Sequence, residues 1–141
     1  MSPRTAWLDS LLARIRLPRG AHQRRGRAGE RFAARHLKKS GYRLLARNLR
    51  TRHGELDLIA LSPDHAIVCV EVKAGAANPH FPAEGHVTPA KQRKIVALAA
   101  AVARRHRLTG RRFRFDVIAV EYPARGEPRL RHHVGAFLSH I

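Results

Sequence analysis

Acidic residues are scarce in this sequence of 141 residues: ten Asp and Glu stand against 28 Lys and Arg, which gives a formal net charge of +18. A surface with so few acids attracts polyanions, and nucleic acid is the commonest of them. An anionic membrane is the rival partner for such a charge. Genomic base composition is another source of the excess, because it can enrich a chain in Arg and Ala. The charge alone therefore favours nucleic acid without deciding the matter.

Cysteine is almost absent as well. Cys69 is the only one, so no internal disulfide can form, and we expect a reducing, cytoplasmic setting. Its apolar neighbours predict a small core side chain and not a nucleophile. No apolar run approaches the roughly 18 residues that a membrane-spanning helix needs. Charged residues near the N-terminus interrupt any signal-peptide-like segment, so we expect no membrane partner.

Aromatic residues make up only 6% of the chain, which argues against a base-stacking platform for single strands. Duplex or branched DNA, held through its phosphates, fits the composition better. The ten histidines include no His-x₃-His pair and none at ligand spacing from the cysteine, so a zinc site is not indicated. No glycine-rich stretch ends in the Gly-Lys-Ser/Thr of a P-loop, which leaves nucleotide hydrolysis unsupported.

The pattern of apolar residues predicts a basic N-terminal region over residues 1–27 and a single α/β domain over residues 28–141. The N-terminal region contains an amphipathic helix over 3–16 and a flexible Gly/Arg linker that reaches Gly29. The domain elements are expected at 30–40 (helix), 42–49, 55–61 and 66–73 (strands), 88–107 (helix) and 112–122 (strand), with a final strand or short helix. This order predicts a mixed β-sheet flanked by helices.

Five of the ten acids stand where exposed charge is not expected: Glu30, Glu55, Asp57, Glu71 and Asp116. A carboxylate buried without a partner costs several kcal/mol, so each of these groups needs a proton or a cation nearby. Arginine is the simplest cation in so basic a chain.

Arginine pairing accounts well for Asp116, because Arg112 and Arg114 precede it on the same predicted strand. It accounts less well for Glu71, whose strand has no basic residue before Lys73. Strand side chains alternate between faces, so Glu71 and Lys73 should point the same way, roughly 7 Å apart along the strand.

Asp57 lies on what we expect to be the neighbouring strand and could bring a second carboxylate to Glu71. Two such groups repel unless a hard cation lies between them, and Mg²⁺ (or Mn²⁺) accepts one or two carboxylates while keeping its waters. Lys73 could then orient a water for attack on a phosphodiester.

An ordered set of short motifs is similar to the YraN-type family of small bacterial proteins, UPF0102, within the PD-(D/E)xK nuclease superfamily. The set comprises Gly29-Glu30, Arg47-Asn48, Gly54-Glu-Leu-Asp57, Val70-Glu-Val-Lys73, Pro89-Ala-Lys-Gln92 and Arg114-Phe-Asp-Val-Ile118. It spans roughly residues 28–122, most of the chain. The resemblance implies a restriction-endonuclease-like fold related to archaeal Holliday-junction resolvases.

The resemblance also implies roles for particular residues. Asp57 and Glu71 match the two metal carboxylates, Lys73 the catalytic lysine, and Glu30 a helix glutamate that helps to bind metal or water. Lys91 and Gln92 match a phosphate-facing pair at a helix start, where free amides also favour anions. Further contacts with the nucleic acid are expected from Arg24, Arg25, Arg27 and Arg47.

The chain departs from the superfamily pattern at two points. Leu56 stands where the name-giving proline would precede Asp57, and Ala74-Gly75 stands where a basic residue is expected after Lys73. The second departure bears on phosphate contacts and not on the metal site.

The leading hypothesis is thus a Mg²⁺-dependent DNA endonuclease, structure-selective if it acts as the resolvases do, and a homodimer by the same analogy. Two alternatives remain at this point. One is a nucleic-acid-binding module whose nuclease site is vestigial or partner-dependent. The other is a structural protein whose carboxylates simply pair with arginine.

Overall fold

A computed structural model describes residues 24–52, 54–78, 87–108 and 110–137. Its elements are α1 (Arg24–Lys39), β1 (Arg43–Thr51), β2 (Gly54–Leu61), β3 (Ile67–Ala76), α2 (Pro89–Arg105), β4 (Phe113–Tyr122) and β5 (Arg129–Phe137). The predicted order of the elements is confirmed, and the last of them is a strand. The helix predicted at 3–16 and residues 79–86 of the predicted loop lie outside the described residues.

The five strands form one sheet in chain order, β1 to β5. Neighbouring strands are antiparallel except for β3 and β4, which run parallel from Ile67↔Phe113 to Ala76↔Tyr122. Parallel neighbours need a crossover connection, and α2 supplies it. The predicted restriction-endonuclease-like fold, a mixed sheet flanked by helices, is confirmed.

Each helix covers one face of the sheet. On the first face, α2 packs Ile95, Leu98, Ala99 and Val102 against apolar side chains that include Leu56, Ile59, Ile67 and Cys69. On the second, α1 packs Ala33, Ala34 and Leu37 against Leu58, Val68, Val70 and Ile118. Burial of these side chains, at about 25 cal/mol per Å² of apolar surface, is the main force that holds the layers together.

Cys69 behaves as predicted. It is buried in the core beneath α2. Burial, and to a smaller extent the charge of Asp116, raises the pKa of its thiol to about 12. A thiol that stays protonated is a poor nucleophile, so Cys69 is a packing residue.

Helix α1 begins at Arg24, so the prediction of a flexible linker reaching Gly29 is wrong for residues 24–29. Glycine usually signals a flexible segment, but Gly29 has a packing role here. A Cβ added at Gly29 would lie 2.5 Å from the Cβ of Ala74 in β3. Only glycine lets the helix approach the strand so closely.

Helix α2 begins as the sequence predicts. The Thr88 side chain accepts a hydrogen bond from the Lys91 backbone N–H at 3.2 Å, and Pro89 occupies the first turn. Both features favour a helix start at this point. The cap thereby places Lys91 in the first turn of α2.

The alternation of side chains along β2 breaks at Asp57. Leu56 packs beneath α2, whereas Leu58, two residues on, packs beneath α1. On the paired strand β1, Asn48 has a φ of 51°, a left-handed conformation that Asn tolerates better than most residues. Asp57 is absent from the regular pairing of β2 with β1, which runs from Arg47↔Leu58 to Leu49↔Leu56.

No helix among residues 24–52, 54–78, 87–108 and 110–137 is both long and apolar enough to cross a membrane.

Candidate active site

Asp57 lies where strands β2 and β3 part. The two strands are paired from Leu61↔Ile67 to Leu58↔Val70. Two residues beyond Val70 in β3, the backbone N–H of Val72 donates a hydrogen bond to Asp57 Oδ2 at 2.8 Å. This bond holds the Asp57 carboxyl beside β3 and brings it to Glu71, as the sequence predicted.

Glu71 is buried, with 4% of its side chain exposed. Its Oε1 lies 3.5 Å from Lys73 Nζ and 3.5 Å from Lys91 Nζ. Its Oε2 is buried and receives no hydrogen bond. One oxygen of Glu71 is thus paired with two lysines, while the other lacks the partner that a buried carboxylate oxygen normally has.

The pKa of Asp57 is raised from its ordinary value of 3.8 to about 8. Burial is the largest cause, and the negative charges of Glu71 and Glu30 add to it, while the Val72 N–H opposes the shift. We call Asp57 and Glu71, together with Glu30, whose charge also acts on Asp57, the acidic cluster. The buried Asp57 carboxyl beside Glu71 therefore favours either its proton or a nearby cation.

The acidic cluster suits a hard cation that needs few protein ligands. Within the described ranges, no three or more His, Cys, Asp or Glu side chains are grouped so that they could hold a metal ion together. Mg²⁺ is commonly bound through one or two carboxylates and keeps several waters. Asp57 and the unpartnered oxygen of Glu71 fit that donor set.

Lys91, one of the residues expected to bind nucleic acid, contacts the acidic cluster directly through Glu71. Gln92 Nε2 donates a hydrogen bond to the Val87 carbonyl at 3.2 Å. Arg47 is exposed on the edge strand β1. The other three expected residues, Arg24, Arg25 and Arg27, belong to the first turns of α1.

Arginine does neutralise other acids of the chain. Arg114 donates two hydrogen bonds of 2.9 Å to Asp116, as its spacing predicted. Glu55, which is largely exposed, pairs with Arg50 at 3.1 Å. The arginine-pairing explanation therefore holds for Asp116 and Glu55, whereas Glu71 lies against lysines and a second carboxyl group.

The close approach of Gly29 to Ala74 gives a test of how α1 is positioned. Gly29→Ala should destabilise the fold by about 1–3 kcal/mol, because the added methyl group overlaps Ala74 and displaces the helix. In an exposed helix the same change would stabilise by roughly 1 kcal/mol. Urea unfolding measures the difference.

Ala74→Gly provides the matched control for this prediction. It removes the atom that the new methyl group would meet, so the double variant should recover most of the loss. A Gly29→Ala protein as stable as the wild type would show that α1 does not pack as closely as described.

Comparison with known proteins identifies relatives over most of the chain. A family model described as "Uncharacterised protein family UPF0102" matches residues 29–120. A UPF0102 protein of Pelobacter propionicus is 40% identical over 113 residues, which cover 79% of this chain and 81% of the relative. One of Anaeromyxobacter dehalogenans is 41% identical over 112 residues (79% and 82%), and one of Pelotomaculum thermopropionicum is 41% identical over 113 (79% and 93%). The matched span contains the acidic cluster, Lys73 and Lys91.

Proposed function

The chain belongs to the UPF0102 family, and we propose that it is a Mg²⁺- or Mn²⁺-dependent endonuclease that cleaves phosphodiester bonds in DNA. The observation that carries the proposal is Glu71. It is buried, it has one oxygen without a hydrogen-bond donor, and it lies against the raised-pKa carboxyl of Asp57. A structural ion pair would be expected to satisfy both oxygens, whereas a binding site leaves one directed at its ligand.

Each residue of the site has a role in this proposal. Asp57 and Glu71 would hold the ion, and Glu30, in the first half of α1, would act on its bound water. When bound, a divalent ion would neutralise charge on the phosphate and acidify a water molecule. Lys73 lies beside Glu71 and orients the attacking water. Lys91 reaches the same carboxylate oxygen from α2 and, once the ion shares Glu71, is available to a phosphate oxygen.

The substrate we propose is duplex or branched DNA, held by its backbone. Arg47 and the arginines at the start of α1 would contact phosphates, so binding should weaken steeply as salt rises. Preference for a branched substrate and a homodimeric assembly follow from the analogy with Holliday-junction resolvases. The single buried thiol suits the cytoplasm.

Cleavage assays on linear, flapped and four-way DNA test the proposal. Wild type should cut at least one substrate in Mg²⁺ or Mn²⁺ and none in EDTA. Lys73→Gln should lower the cleavage rate by about 10²–10⁴-fold, the usual contribution of a group that assists proton transfer, while metal affinity changes little. Lys94→Gln, an exposed lysine of α2, is the matched control and should cut at close to the wild-type rate.

Tight DNA binding without cleavage in any metal would contradict the proposal. The protein would then be the nucleic-acid-binding module with a vestigial or partner-dependent site.

A further inference from the structure

A chain of hydrogen bonds joins helix α1 to strands β4 and β5. His36 Nε2 lies 3.1 Å from His132 Nδ1, and His132 Nε2 lies 2.7 Å from Asp116 Oδ2. The two imidazole rings meet edge to face, with their planes 82° apart. We call these three residues the histidine chain; none of them belongs to the acidic cluster.

The Asp116 end of the histidine chain is fixed. Asp116 is fully buried, and it accepts hydrogen bonds from the Arg114 guanidinium and from the Gly135 N–H at 3.0 Å. Burial alone would raise the pKa of Asp116, but the bonds from His132, Arg114 and Gly135 outweigh it and lower the pKa. An ionised carboxylate only accepts hydrogen bonds, so His132 Nε2 must carry a proton.

The hydrogen bond between His36 Nε2 and His132 Nδ1 needs one proton between the two nitrogen atoms. If both rings are neutral, His36 Nε2–H donates to the lone pair of His132 Nδ1. If the pair gains one proton, one ring is charged and still donates to the other. If both rings are charged, two N–H groups face each other and the hydrogen bond cannot form.

We propose that the histidine chain is a proton-operated latch, which fastens the end of α1 to β5 and opens when both imidazoles are charged. The latch is closed in the neutral and singly protonated forms. It is a conformational device of the fold, independent of whether the acidic cluster binds metal.

Charged groups lie near both rings. From β4, the Asp116 carboxylate contacts His132 Nε2, and the Arg114 guanidinium, which is paired with Asp116, partly offsets its negative charge. Tyr42, just before β1, is bound by Arg114 at 2.6 Å, and its ring lies 5.9 Å from that of His132. Arg35 and Lys39 are the basic residues next to His36 in α1. In β5, Arg131 and His133 alternate to the opposite face of the sheet, where Arg131 pairs with Glu121 at 2.6 Å.

The pH range of the latch follows from the same surroundings. Burial, and then the charge of His132, lowers the pKa of His36 from its ordinary 6.5. The unfolded chain therefore takes up the second proton more readily than the folded one. The stability that the latch contributes is present above pH 6.5 and is lost as the pH falls below it.

Opening should be confined to the end of α1. The first half of the helix is held by Gly29 against Ala74, and Ala33 and Leu37 pack further along it in the core. The end has His36 as its polar tie to β5, and its last turn leads into the Ser40–Gly41 turn. Amides of residues 36–40 should report the latch.

Hydrogen exchange followed by NMR at pH 7.5 and pH 5.0, corrected for the intrinsic pH dependence of exchange, tests the proposal. In the wild type, protection of residues 36–40 should fall about five- to tenfold at the lower pH, as expected for the loss of one hydrogen bond. In His36→Gln the fall should be absent, because a neutral amide donates to His132 Nδ1 without titrating. Ring ¹⁵N spectra should show His132 protonated at Nε2 at pH 7.5.

The matched control is His65→Asn, which removes an exposed histidine at a left-handed position (φ 67°) that Asn tolerates. It should keep the wild-type pH dependence. The latch is overturned if wild-type protection is equal at both pH values, if His36→Gln loses protection as the wild type does, or if His132 is protonated at Nδ1 alone.

Discussion

Glu71→Gln should have opposite effects on stability and function. Metal affinity and DNA cleavage should fall by more than about 100-fold, because loss of even an outer-shell partner costs 10–100-fold and Glu71 is a direct ligand in our proposal. The metal-free protein should instead gain about 1 kcal/mol, because the amide can donate a hydrogen bond to Asp57 and removes a buried negative charge.

The ion pairs of Glu71 do not cancel that gain. Its partners Lys73 and Lys91 have 27% and 41% of their side chains exposed. Pairs with solvated lysines contribute roughly 0–1 kcal/mol, and the freed lysines can return to water. If Glu71 were simply half of a structural ion pair, Glu71→Gln would lower stability and leave metal binding unchanged.

Urea unfolding in EDTA, with metal titrations and cleavage assays on the same preparations, measures all of these effects. Glu55→Gln is the matched control, since Glu55 is an exposed acid of the same strand, paired with Arg50. It should change stability by less than about 0.5 kcal/mol, as surface substitutions do, and should leave cleavage unchanged.

The second large effect concerns pH. The pKa of Asp57 is about 8 in the folded protein, well above its ordinary 3.8, so the folded state binds more protons than the unfolded state between these values. Its contribution to the free energy of unfolding is fully present below the unfolded pKa and is lost as the pH rises through about 8. The metal-free protein should lose on the order of 4 kcal/mol from this group between pH 5 and pH 9, at about 1.4 kcal/mol per pH unit up to the folded pKa.

Asp57→Asn should remove that loss, because the amide does not ionise and its oxygen can still accept the Val72 N–H. The measurement is the difference in free energy of unfolding between variant and wild type across the pH range, so that the effects of other groups cancel. Asp64→Asn, at an exposed turn where Arg112 pairs with the acid, should leave the slope over this range unaltered. An Asp57→Asn protein with the wild-type slope would mean that Asp57 is not the group that titrates.

Much of the site could be predicted because it depends on local geometry. The two-residue spacing of Glu71 and Lys73 placed both on one side of β3, and the apolar runs identified β2 and β3 as neighbours. The two-residue spacing of Arg114 and Asp116 in β4 likewise predicted their ion pair. Strand alternation and adjacency in sequence fix these relations.

Other features depend on how separate elements meet, and sequence spacing does not encode that. The cap at Thr88 showed where α2 begins but not that Lys91 would reach Glu71 in β3. His36 and His132 are 96 residues apart, and neither lies in a motif. The sequence predicted Gly29 to be a linker residue, because its packing partner, Ala74, belongs to another element and the pattern around Gly29 does not indicate the contact.

A calorimetric titration of Mg²⁺ at pH 7.5, repeated in two buffers with different ionisation enthalpies, tests the central claim most directly. If the ion replaces the proton on Asp57, one ion should bind per chain with the release of up to about one proton. The ion binding and the proton release should both disappear in Glu71→Gln and in Asp57→Asn. No binding at millimolar Mg²⁺ or Mn²⁺, or binding that both variants retain, would contradict the assignment of a metal site to these carboxylates.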